Sequence, residues 1–544
     1  MGECSVNLPC RRVTPNVPLS SHPGMIVPAR LSRTSSAWLA LVFSLTALNL
    51  TAQERPDTGV DARIRDEGLN RSRVLETAIG LSDLQPPRLA GSPGYLEAAR
   101  WAVGRIRQFG VPQAGLEPWG PTTPSWVLER FSVEMTAPFY QRLNAHPQAW
   151  SPSIRETITA PVVVARIEAD SDTVRLRGTL RGRIVLLGAI RPLQDREEAP
   201  VKRFTTRELD SLTALTEPGE PASWDADVAP WVRLVTGRRA RLEFLRREGA
   251  VAVIQPSERD DPLTASGGYG YPRPPAEGVP AFDLDRTQFN RLLRLVEAGR
   301  DVRLALALRG RLVAGDSVGY NVVAEIPGSD PALRGEVVML GGHLDSWTAG
   351  SGATDNAAGC AVAIEVLRIM RALDLKPRRT IRIALWDAEE TSDDYAGSIG
   401  YVRRHFGNPD DGSSKPDQAK ISAYFNFDNG SGRIRGINLQ GAAAARPLFE
   451  ELLAPFADLG VTAVSIRNVG STDHMSFASV GIPAFQFIQD PLDYDSRTHH
   501  TSLDTADYLI EDDLKQAAVV VASLMYHVAM RDELVPRVGG GMSH

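Results

Sequence analysis

Cysteine is nearly missing: the 544-residue chain has three, and Cys4 and Cys10 both lie in its first ten positions. Cys360 alone remains further on, which excludes an internal disulfide scaffold there. On an apolar-rich helix it reads as a small core residue rather than a nucleophile. An excess of positive charge is missing as well. A net charge of -6 leaves no basic stripe of the kind nucleic acid requires, so no nucleic-acid partner is expected. A membrane-length apolar run is missing too. The stretch "AWLALVFSLTALNL", Ala37 to Leu50, has 14 residues, against the roughly 20 that span a bilayer. Preceded by Arg30 and Arg33 and followed by "TAQERP", it reads as the core of a secretory signal. Residues 1–52 are therefore expected to be a leader, with Met25 a candidate start, and the mature chain to be exported, secreted or periplasmic, without a stable membrane span. No internal repeat is visible.

What is present is the composition of a soluble globular protein, 43% apolar and 23% charged, long enough for two or three domains. Residues 53–156 begin with helical phrases around a Pro/Gly turn, with Ala99, Ala102, Val103 and Ile106 at helical spacing. Residues 157–310 change texture. "APVVVARIEA", "GRIVLLG", "GAVAVIQPS" and "DVRLALAL" are strand-like, "ARLEFLRREG" is helical, and the polar, proline-rich stretch Arg191 to Trp231 is a long excursion. This predicts a separate β-rich module. From 311 to 535 strand and helix alternate: "NVVAEIPG", "EVVMLGGH", the helix "NAAGCAVAIEVLRIMRAL", "TIRIALWDA", "ISAYFNFD" and "PAFQFIQD". The predicted class is α/β, a mixed and mostly parallel sheet covered by helices. Residues 536–544 read as a flexible tail.

In such sheets ligands bind beyond the carboxyl ends of the strands, and the polar clusters fall there. His343 and Asp345 follow "EVVMLGG", Asp355 precedes the next helix, Glu389 and Glu390 follow "TIRIALWDA", Asp428 follows "ISAYFNF", and "RTHHTSLDT" adds His499 and His500. Imidazoles with several carboxylates and no cysteine form a nitrogen and oxygen set suited to zinc. Burying so many carboxylates without a cation would be costly. The number of ligands exceeds the need of one ion and suits two that share a carboxylate.

The phrases "GGHLDSW", "TDNAAG", "LWDAEE", "FNFDNG" and "HHTSLDT", with "PRLAGSPG" and "NVVAEIPGS" before them, resemble the co-catalytic zinc exopeptidases, the family of leucyl-type aminopeptidases and carboxypeptidase Q. The likeness runs from about Leu75 to Met530. It implies two zinc ions per chain, with Asp355 bridging, His343 and Asp428 on one ion, and Glu390 and His500 on the other. It also implies Glu389 as general base and a small peptide as substrate. His500 rather than His499 aligns with the family's H-T-x-x-D-T phrase, as His500, Thr501, Asp504 and Thr505. Asp345 fits an acceptor that fixes the His343 imidazole. Asp473, in "GSTDHMSF", orients substrate or ligands, with His474 a weaker candidate. The resemblance further implies a cis Asp355–Asn356 peptide, a protease-associated-like inserted module at 157–310 and a homodimer. "TSDDYAGS" departs from the family by about two extra residues, and Asp393 and Asp394 there could meet a substrate amine. Two alternatives share the scaffold: a glutaminyl-cyclase-like acyltransferase with one zinc, and a non-catalytic, receptor-like binding protein. The inserted module speaks against the first and the full ligand set against the second.

Overall fold

Strands covered on both faces need apolar residues at every position, and "VVML" supplies four in succession. In the strand Val337–His343, Val338 and Leu340 enter the core beneath one layer of helices, while Val337 and Met339 enter a second core on the opposite face. This computed structural model describes residues 56–122, 124–192, 199–219, 229–257, 259, 278–313, 318–390 and 395–537. The expected leader, Asp393 and Asp394, and most of the expected tail lie outside them. Among the described residues no helix is long and apolar enough to cross a membrane.

The first sheet has eight strands in the order Ala114–Pro121, Val318–Ile326, Thr380–Trp386, Val337–His343, Ile421–Asn426, Ala484–Gln489, Ile434–Asn438 and Ala463–Ser465. Its four central strands are parallel, and antiparallel strands join on both sides. Helices Ala358–Ala372 and Glu511–Met530 cover the first face; Ala396–His405 lies against the other. The α/β class read from the alternation is the fold observed.

The second body is also an eight-stranded sheet, ordered Gln141–Arg142, Ser125–Ala137, Arg303–Val313, Ile158–Ala165, Ile184–Leu187, Ala252–Pro256, Ala281–Leu284 and Ala145–Pro147. It has its own apolar core. Its start differs from the expected residue 157. The strand Ser125–Ala137 pairs antiparallel with Arg303–Val313 along nearly its whole length, so residues 125–147 belong to this sheet and not to the first. Trp347, from the loop after His343, is buried in this second core with its ring edge-on to Trp150 at 6.5 Å. Burying an indole removes roughly 150–250 Å² from water, which at about 25 cal/mol per Å² amounts to about 4–6 kcal/mol.

Candidate active site

The carboxyl ends of the parallel strands carry the candidate residues. His343 closes its strand, Glu389 and Glu390 follow Thr380–Trp386, and Asp428 lies two residues past Ile421–Asn426. Asp355 sits in a buried turn leading into the helix Ala358–Ala372, and the Asp355–Asn356 peptide is cis. Asn356 pins this turn: Nδ2 donates to Phe427 O at 2.7 Å and Oδ1 accepts from Gly359 N at 3.0 Å. A Cβ on Gly359 would lie 2.5 Å from both Asn356 Oδ1 and Phe427 O, so only glycine lets the helix start this close.

Five of these side chains, His500 among them, converge. His343 Nε2 is 3.1 Å from Asp355 Oδ1 and 3.2 Å from Asp428 Oδ1. His500 Nε2 is 3.2 Å from Asp355 Oδ2 and 2.7 Å from Glu390 Oε2. The two oxygens of Asp355 thus face two different clusters. His499 is near as well, its Nε2 3.8 Å from Asp355 Oδ2. Burial alone would raise the Asp355 carboxyl; hydrogen bonds from His343 and His500 outweigh it and hold the group well below the ordinary range. Burial likewise works to lower His500, but Glu390 and Asp355 lift it to about 10. His343 is also raised, because Asp428 and Glu389 overcome its burial. Burial pushes Glu389 well up and Glu390 to about 8. These are carboxylates and imidazoles crowded together at unfavourable cost unless a shared cation is present.

Asp345 meets the site through both its main chain and its carboxylate. The His343 Nδ1 hydrogen goes to the main-chain carbonyl of Asp345 at 3.0 Å, whereas the Asp345 carboxylate stands 3.6 Å away, beyond hydrogen-bond range. That carboxylate instead accepts the main-chain N–H groups of Glu389 at 3.1 Å and Glu390 at 3.2 Å, fixing the turn that carries both glutamates. Asp473 is fully buried with neither oxygen hydrogen bonded. Its neighbour Thr472 donates to Asp428 Oδ2. His474 points away from the cluster, to Val469 O at 2.7 Å.

Three supports carried no role in the sequence. Asp504 Oδ1 accepts Thr354 N at 2.6 Å and Thr354 Oγ1 at 2.8 Å beside the Asp355 turn. Asp387, raised to about 8 chiefly by burial and then by Asp345, accepts from Trp119 Nε1 at 3.2 Å. Arg88, in "PRLAGSPG", is completely buried and donates to the carbonyls of Leu344, Leu81, Ser351 and Gly352 at 2.7–2.8 Å. The order of the quoted phrases was the signal for these positions; their partners are main-chain atoms that no motif spells out. Arg88→Ala leaves those acceptors buried without a donor and is expected to cost about 3 kcal/mol or more. A urea titration reads this as a lower midpoint at unchanged slope.

The donor set fits a pair of divalent ions. It consists of imidazole nitrogen and carboxylate oxygen only, His343, Asp355 and Glu390 lie within mutual ligand distance, as do Asp355, His499 and His500, and Glu390 Oε1 is buried with no hydrogen-bond partner. Such a fold with such a site is that of a zinc exopeptidase. Residues 321–525 match peptidase family M28. Carboxypeptidase Q of Homo sapiens is 26% identical over 480 residues, 86% of this chain and 88% of that protein. The crystal structure of a peptidase M28 precursor from Shewanella amazonensis aligns with TM-score 0.65 at 25% identity, covering 89% of this chain and 99% of that one. A zinc aminopeptidase of Bacillus subtilis shares the fold, with TM-score 0.54 at 17% identity over 84% and 94% of the two chains. The family M28 match over residues 321–525, together with the likeness to carboxypeptidase Q and to the M28 precursor across most of the chain, makes this a zinc metallopeptidase.

Proposed function

We propose that the protein is an exported dizinc exopeptidase that releases residues from the ends of small peptides. The observation that carries this is Asp355: one oxygen faces His343, which also meets Asp428, and the other faces His500, which also meets Glu390. His343 and Asp428 would hold one ion, Glu390 and His500 the other, and Asp355 both. Bound zinc supplies Lewis acidity to the scissile carbonyl and to the attacking water. Glu389 takes the proton of that water and returns it to the leaving amine. The Asp345 carboxylate, by gripping the Glu389 and Glu390 amides, keeps base and ligand in fixed relation. Export rests on the basic and apolar pattern of residues 1–52. The second sheet is read as a protease-associated-like insertion, and the homodimer implied by likeness to carboxypeptidase Q is checked by light scattering.

The test is a panel of dipeptides, N-blocked dipeptides and aminoacyl anilides, assayed with and without chelator. Cleavage of unblocked short peptides that chelator abolishes and zinc restores is the expected result. Chelator-insensitive cleavage, or a cyclised product from an N-terminal glutamine peptide with one zinc per chain, would overturn the reading.

A pH dependence follows from the raised imidazoles. Metal-free His343 and His500 hold protons that a cation must displace. Zinc affinity is therefore expected to rise with pH, up to about tenfold per unit for each proton released. Competition titrations between pH 6 and 8 measure the slope, and a flat profile would contradict it.

A further inference from the structure

His500 adopts φ 58°, a left-handed backbone uncommon for residues other than glycine and kept only where the surroundings over-determine it. Much of what surrounds its turn comes from the second body. Beyond the strand Ile184–Leu187 the chain leaves its own sheet and crosses to the first. Lys202 and Leu492 exchange main-chain hydrogen bonds at 2.8 Å each way, Ser496 Oγ donates to Pro200 O at 2.6 Å, and Leu209 packs against Ala463 and Ile488. Arg203 anchors this strap. Its two terminal nitrogens reach Asp490 Oδ2 at 2.9 Å and Asp513 Oδ2 at 2.8 Å. Both carboxylates are fully buried, and Arg435 and Arg433 pair with their other oxygens at 2.8 and 2.7 Å. Asp490 Oδ1 also accepts Phe204 N at 2.9 Å. The strap is thus tied on both sides of the segment that leads to the histidine pair.

A second arm arrives at the pair itself. Arg259, also from the second body, donates to Asp495 O and to His499 O at 2.9 Å, and its Nη2 lies 3.1 Å from His499 Nδ1. A guanidinium can only donate, so Nδ1 accepts, and a neutral His499 then carries its hydrogen on Nε2. A protonated nitrogen cannot ligate a cation. His500 makes no such commitment: its Nε2 faces Asp355 and Glu390.

We propose that the second body helps to build the metal centre: Arg203 and Arg259 are positioning residues that hold the Asp490–His500 turn, and Arg259 locks His499 as an Nε2–H donor, leaving His500 as the imidazole for the second ion. This rests on the dizinc reading above, and zinc analysis of the unaltered full chain tests that reading separately; fewer than two ions per chain there would sink the dizinc assignment before any variant is made. The proposal itself is tested by zinc release to a chromophoric chelator from Arg203→Leu, Arg203→Lys and Arg259→Leu. One of two release phases should accelerate at least tenfold in both Leu variants, with the other unchanged, and Arg203→Lys should recover most of the difference. In parallel, His499→Ala should retain two zinc ions and His500→Ala only one. Should Arg203→Leu fail to fold, Arg259→Leu and the two histidine variants carry the test. Unaltered release, equal acceleration of both phases as in a merely loosened fold, or loss of an ion from His499→Ala with none from His500→Ala would overturn it.

Discussion

Glu389→Gln should leave the zinc content at its unaltered level and lower kcat by about 10²–10⁴-fold, the usual worth of a positioned acid–base group. The amide keeps the size of the side chain and the main-chain contact to Asp345. It cannot accept a proton. Glu389 is the one of the two adjacent glutamates that takes no part in the ion pairs around Asp355, since Glu390 is the one that meets His500. Loss of turnover with metal retained therefore separates the two neighbours. Elemental analysis beside steady-state kinetics gives the answer, and ordinary turnover in the variant would reassign the base.

Asp355→Ala should have the larger effect, removing both ions and reducing activity below detection. No other side chain in the cluster presents one oxygen to each histidine at 3.1–3.2 Å. Without it the remaining carboxylates and imidazoles divide into two incomplete sets. Asp428→Ala offers the contrast, because of the two histidines it pairs with His343 and not with His500, and it should release a single ion. Zinc per chain after dialysis, compared across the three proteins, reads this directly; an Asp355→Ala protein that kept two ions would refute the shared-carboxylate arrangement.

The central strands were legible because residues buried on both faces spell continuous apolar runs, and the polar residues that end those runs are the ones brought together around Asp355. The start of the second sheet was not. "SWVLERFSVEMTA" carries charges on its exposed positions, and its partner Arg303–Val313 lies some 170 residues later, a pairing that no local pattern announces. Which atom of Asp345 meets His343 was not legible for a related reason: a backbone carbonyl two residues from a histidine leaves no trace in side-chain spacing. The strap from Pro200 to Thr213 reads as a polar excursion, since most of its grip is main-chain hydrogen bonding and buried ion pairing rather than apolar periodicity.

Trp347 gives the architecture a further meaning. The loop that follows His343 drives its indole into the interior of the other sheet, against Trp150, with the ring centroid 6.1 Å from that of His500. The two sheets are therefore not interchangeable cassettes. Excising the second sheet would strip this tryptophan of its socket 6.1 Å from His500, so any trimmed or chimeric version must first replace that socket.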